Sequence, residues 1–156
     1  MNIDELVILI DDEIDYEALP TELIEEAARQ TADPFIATSA LAELYARDQH
    51  AVQAVCVEIL GRPDPDRHLR AFALTTLYSV DPAGGARAMV TLATEVSDET
   101  LLAAMIDSVM SEPARFAASP ELVAALFAQV HRSTNADLLS NPEVRDFVAR
   151  FGGPRR

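Results

Sequence analysis

Five times in this chain a residue suited to capping a helix is followed directly by proline: Asp33-Pro34, Asp64-Pro65, Asp81-Pro82, Ser119-Pro120 and Asn141-Pro142. A capping side-chain oxygen accepts a bond from an N–H left free at a helix start. Proline fits the next position, where it has no N–H to leave unbonded. Each pair therefore predicts a helix beginning there. Asp48 and Ser97 are further candidate caps without the proline, and Thr21 is a candidate after Pro20.

Apolar residues follow every start at three- and four-residue steps, which lays one stripe along a helix. After Asp33 come Ile36, Ala40, Leu41, Leu44 and Tyr45; after Asp48 come Val52, Val55, Cys56, Ile59 and Leu60. After Asp64 come Leu69, Phe72, Ala73, Leu77 and Val80; after Asp81 come Ala86, Met89, Val90, Ala93 and Val96. After Ser97 come Leu101, Leu102, Met105, Ile106, Val109 and Met110; after Ser119 come Leu122, Val123, Leu126, Phe127 and Val130; after Asn141 come Val144, Phe147, Val148 and Phe151. Near the N-terminus Ile3, Leu6, Val7, Ile10 and Ile14 fit one helical face. Residues 6–10 are rich in β-branched side chains and read alternatively as a strand, but no second strand is available to pair with it. Helix is the expectation there, and a second N-terminal helix is expected over 21–30.

The caps at 33, 48, 64, 81 and 97 are separated by 15, 16, 17 and 16 residues, so two helices make a unit of about 32. Ala40-Leu41-x-x-Leu44 returns as Ala73-Leu74-x-x-Leu77 and then as Met105-Ile106-x-x-Val109, while Asp48 and Asp81 each open the second helix of a pair. On these residues, 33–132 resembles HEAT-like or armadillo-type helical repeats with three helix pairs. The third pair departs from the pattern, because residues 111–118 form a long connection between its helices.

The resemblance implies an all-α fold, a right-handed α-α superhelix of HEAT-like helix pairs; the alternative is an irregular helical bundle. The expected organisation is one domain over 1–151. Acidic N-terminal helices occupy 1–32, three helix pairs 33–132, a capping helix 141–151 and a flexible tail 152–156. A single pair cannot bury its apolar face alone, so the units must stack and the end units need polar outer faces. About half the residues (49%) are hydrophobic, enough for such a core.

The 26 acids outnumber the 12 arginines, there is no lysine, and the formal net charge is -14. Ten of the acids, against one base, lie in residues 1–30. Phosphate backbones repel such a surface, so direct nucleic-acid binding is not expected. A basic protein partner fits better. No apolar run approaches the ~18 residues needed to cross a bilayer, and the acidic start does not resemble a signal peptide. Cys56, the one cysteine, sits in an apolar stripe and reads as a buried, inert thiol. A cytoplasmic protein is expected.

Nothing in the chain announces catalysis. His50, His68 and His131 fall on different predicted helices without metal-ligand spacing. Asp64 and Asp66, near His68, are accounted for as a cap and a charge at a helix N-terminus. A calcium loop counted from Asp11 would need glycine where Tyr16 stands. Gly84-Gly85 lacks the lysine and spacing of a phosphate loop and reads as two glycines easing a helix entry. No catalytic residue, cofactor or metal is expected. A small, acidic helical chain without catalytic signals resembles bacterial immunity proteins, some of which have HEAT-like folds. That implies an inhibitor of a basic toxin, such as a nuclease, by acidic surface complementarity. The alternative is a scaffold or adaptor in a larger assembly. The candidate contact residues are Asp11, Asp12, Glu13, Asp15 and Glu17, with Asp48, Gln53 and Glu58 on a second helix.

Overall fold

The computed structural model describes residues 1–30, 32–95, 98–116 and 119–152, and every regular element among them is helical. Four of the eight candidate caps bond where the sequence places them. Asp33 accepts from the N–H groups of Phe35 (2.8 Å) and Ile36 (3.2 Å), opening α3 (Pro34–Arg47). Asp48 accepts from His50 and Ala51 and opens α4 (Gln49–Gly61). Asp81 accepts from Gly84 N–H at 2.9 Å over the first turn of α6 (Pro82–Glu95). Asn141 does the same for α11 (Pro142–Phe151).

Three starts differ from expectation. Asp64 does not cap: Arg62 holds its carboxylate through two bonds of 3.1 and 2.7 Å, and α5 (Arg67–Val80) begins later, capped by Asp66. A carboxylate already committed to a guanidinium is a poor acceptor for a helix start, and Pro65 is buried rather than leading the helix. For α7 (Glu99–Ser111) the cap is Asp98, which accepts from Leu101 N–H at 2.9 Å; Ser97 lies outside the described residues. Thr21 is the first residue of α2 (Thr21–Arg29), not its cap. At α9 (Pro120–Arg132) Ser119 holds the cap position but its hydroxyl makes no capping bond, so Pro120 at the first turn carries the signal.

The connection at 111–118 contains a short helix, α8 (Pro113–Phe116). It is tied inward by Phe116, 1% exposed, whose ring lies 5.6 Å from that of Tyr78. The Tyr78 hydroxyl donates to Glu112 at 3.1 Å. A further short helix, α10 (Ala136–Ser140), is capped by Asn135 and precedes α11.

The N-terminal expectation is corrected. Only α1 (Ile3–Leu6) is helical, closed by a reciprocal Asn2–Glu5 cap. Residues 7–10 are neither a longer helix nor a strand, and two single 3-10 turns follow, Asp11–Glu13 and Tyr16–Ala18. A run of β-branched residues propagates a helix weakly, and Pro20 bars its preceding residue from helical geometry. Of the supposed stripe only Leu6 is fully buried.

The helices pack in two rows. In one, α3, α5, α7 and α11 lie side by side in that order; in the other α2 packs on α4, and α6 on α9. The rows meet through α2 on α3, α3 on α4, α4 on α5, α5 on α6 and α7 on α9. The core between them is built from the forecast stripes: Ile36, Leu41, Leu44, Val55, Ile59, Leu69, Leu77, Met89, Met105, Ile106, Leu126 and Phe147 are at most 1% exposed. Each such side chain contributes about 1.5–3 kcal/mol on burial. Cys56 is buried among them, and burial pushes its thiol pKa up to about 12.

The second row is interrupted. α4 and α6 do not pack along their lengths; a bond of 2.9 Å from the Gln53 amide to Asp81 links them at one end. The space between them is an open groove.

Acid excess leaves a mark at the α7–α11 seam. Asp107, with a smaller push from Asp146, raises the pKa of Glu143 above the ordinary carboxylate value. A raised folded-state pKa means that ionised Glu143 opposes folding, and protonation relieves it as pH falls. Asp107→Asn is expected to stabilise the fold at pH 7, by less than about 1 kcal/mol for so exposed a pair, and so to raise the melting temperature slightly. The gain should vanish once pH falls below the carboxylate range. A pH series of thermal melts on both proteins checks this.

Candidate functional site

The acidic N-terminal segment is held on α3 by an arginine from that helix. Arg47 donates to the backbone carbonyls of Leu19 (2.7 Å), Tyr16 (2.7 Å) and Glu17 (3.1 Å), while Glu43 accepts from its Nε at 2.6 Å. Asp11 anchors the other end. It accepts from the Tyr16 hydroxyl at 2.6 Å and from the Ser39 hydroxyl at 3.1 Å. Burial and then the Asp11 bond push the Tyr16 hydroxyl pKa well up, so the phenol stays protonated.

These anchors sort the candidate residues by what they do. The Asp11 side chain is engaged inside the segment, while Asp12, Glu13, Asp15 and Glu17 are exposed. Beside them stand apolar side chains in water: Ile8 is 79% exposed, Ile10 66% and Phe35 73%. Phe35 lies one helical turn before Ser39, which holds Asp11, so it shares the side of α3 on which the acidic segment rests. Together with Met1 these are four of the seven large hydrophobic residues exposed among the described residues. The sequence carried a sign of this: Phe35 falls outside the apolar stripe of α3.

The second-helix candidates are dispersed. Asp48 spends its carboxylate on the α4 cap. Gln53 faces α6 through Asp81, whereas Glu58 faces α2 by accepting from Arg29 Nε at 2.9 Å. Five residues at about 100° each put Gln53 and Glu58 on opposed flanks of α4. The fold thus does not bring these three to one contact surface with the N-terminal acids. Arg29 is clasped by both Glu25 and Glu58, Glu25 foremost, which raises its pKa and ties α2 to α4.

Other sequence candidates are likewise distributed. Asp64 is bound by Arg62, which lowers its pKa, and Asp66 caps α5. His131 stacks edge-on against Phe127 at 4.2 Å, while His50 and His68 are exposed on other helices. No described group of three or more His, Cys, Asp or Glu side chains is placed to hold a metal ion. No helix among the described residues is long and apolar enough to cross a membrane.

A groove of about 620 Å³ lies between α4 and α6. Gln53, Val57, Leu60 and Gly61 line it from α4; Gly84, Arg87, Ala88, Thr91 and Leu92 line it from α6. Arg70 and Leu77 of α5 reach it between them. The spacing in α6, positions 84, 87, 88, 91 and 92, is one helical stripe that the core does not wholly use. It was hidden in sequence because only the separation of α4 from α6 exposes it.

No family model matches the chain, and no curated protein or solved structure matches it either.

Proposed function

We propose that the chain is a protein-binding module that docks a basic partner on its N-terminal face. The observation that carries this reading is the exposure of Ile8, Ile10 and Phe35 beside exposed Asp12, Glu13, Asp15 and Glu17. Apolar anchors with a charged rim are what stable protein contacts use. Acidic rim residues speed encounter with a basic surface and select against acidic ones. The segment is also pre-ordered by Arg47 and Asp11, so little freedom is lost on docking.

Within that reading, the role is inhibition of a basic toxin, a nuclease for instance, in the manner of a cytoplasmic bacterial immunity protein. A scaffold role uses the same face for a constitutive partner. The two rows of helices support a short stack of HEAT-like pairs, α3–α4, α5–α6 and α7–α9, wound as a right-handed superhelix and closed by α11.

Affinity capture with the tagged protein at two salt concentrations tests the reading, with a charge-reversed variant in parallel. The variant carries Asp12→Lys, Glu13→Lys, Asp15→Lys and Glu17→Lys. The expected result is a basic protein retained at low salt, weakened by added salt and lost with the variant. Inhibition of that protein's activity at one-to-one stoichiometry would favour the inhibitor over the scaffold. Equal capture by both proteins at either salt would overturn the assignment of this face.

A further inference from the structure

We propose that the groove between α4 and α6 is a binding site for a small organic carboxylate with an apolar body, held by Arg70 and Arg87. The site is separate from the acidic face and does not rest on its role.

The charge inventory comes first. Four groups at the groove are Arg62, Arg70, Arg87 and Asp81. Arg62 is committed, through Nε and Nη2 to Asp64 and through Nη1 to the Arg29 carbonyl at 3.3 Å. Asp81 is committed to the Gly84 N–H and the Gln53 amide. Arg70 and Arg87 have no carboxylate partner among the described residues, in a chain where acids outnumber arginines by more than two to one. Exposed unpaired arginines are unremarkable, and Arg67, Arg87, Arg132, Arg145 and Arg150 are of that kind, Arg87 alone among them lining the groove. Arg70 is not: it is half-buried, its Nε is shut off from solvent without a hydrogen-bond partner, and its one bond is a long 3.4 Å contact to the Leu60 carbonyl.

A buried N–H without a partner has lost its water and gained nothing in exchange. A modest swing of the guanidinium away from the Leu60 carbonyl would turn its Nε–Nη edge to the groove. That edge matches a carboxylate in two parallel bonds. Arg87, on the α6 wall, adds a second cation lining the same space. The apolar half of the ligand has its own surface, because Val57, Leu60, Leu77 and Leu92 line the same space and Val57 is 56% exposed at the rim. A volume of about 620 Å³ falls in the range of small-molecule sites. The net charge of -14 does not forbid an anion here. Residues 1–30 carry -9 of that charge, and at physiological salt a field fades over about 8 Å.

The test is a titration of the full chain with hexanoate at constant ionic strength, followed by backbone amide NMR. Hexanamide and inorganic phosphate serve as matched probes. Hexanoate is expected to move the amides of Val57, Gly61, Arg70, Arg87 and Ala88 in one saturable phase, with hexanamide and phosphate each binding at least about tenfold more weakly. Arg70→Gln and Arg87→Gln should each weaken hexanoate by about tenfold or more, the value of one charge-assisted pair. Arg150→Gln should leave it unchanged. Arg87 is exposed, so its variant reports even if Arg70→Gln disturbs the fold. Equal response to hexanamide would overturn the anion site, and equal response to phosphate would overturn the apolar half. Unaltered binding in the Arg87 variant, or shifts scattered over the surface, would overturn the placement.

Discussion

Arg47→Ala is expected to release the acidic N-terminal segment from α3 and to lower stability by about 3 kcal/mol. The guanidinium is about one-fifth exposed and bonds three backbone carbonyls and one carboxylate at once. Hydrogen bonds to a charged group are each worth about 1.5–3 kcal/mol, and neighbours sharing one donor do not add fully. Denaturant melts give the stability change. Hydrogen exchange should show faster opening confined to residues 11–19, with the amides of α5 and α7 shifted only by the global loss. Arg47→Lys is expected to recover little, because an ammonium cannot span the carbonyls of Tyr16, Glu17 and Leu19 in a planar fork. A partner that docks on this segment should bind the alanine variant more weakly by slower association. An unchanged exchange pattern over 11–19 would mean that the turns are held by Asp11 alone.

The second large effect runs against helix propensity. Gly85 lies inside α6, where alanine would ordinarily gain about 1 kcal/mol. Here a Cβ would stand 2.6 Å from Tyr78 Cα and 2.9 Å from Tyr78 Cβ, which forces α6 away from α5. Overpacking against backbone costs about 1–3 kcal/mol, and because the obstacle cannot rotate aside, a cost near the top of that range leaves a net loss of about 2 kcal/mol. Gly84→Ala provides the contrast. The three atoms nearest its Cβ would all belong to the Asp81 side chain, which can turn at the expense of its cap, so its loss should be clearly smaller. Thermal melts of the two variants order them, and a stabilised Gly85→Ala would contradict the close α5–α6 approach.

That pair of glycines shows where sequence reading stops. From the sequence they read as easing a helix entry. In the fold they differ: Gly84 touches a movable carboxylate, while Gly85 lets two backbones meet. Nothing local distinguishes them, because the deciding atoms belong to Tyr78. The same holds for Asp64. A cap-proline pair is a local signal, but Arg62 competes for the carboxylate, and the helix starts at the next acceptor, Asp66.

Capping and periodicity are local physics, which is why the longer helices from α2 onward, their buried stripes and the burial of Cys56 were legible in the chain alone, while the short α8 and α10 were not. The charge excess and its concentration in residues 1–30 were equally plain. The N-terminal turns were not, since their geometry is set by Arg47 and Ser39, some thirty residues away. Nor was the dispersal of Asp48, Gln53 and Glu58 around α4, which depends on the helices that flank it. The exposure of Ile8, Ile10 and Phe35, and the groove with Arg70 and Arg87 on its walls, arise only when helices are placed side by side. A sequence specifies which face of each helix is apolar; the packing of neighbours decides which part of that face is covered, and so which residues remain to bind.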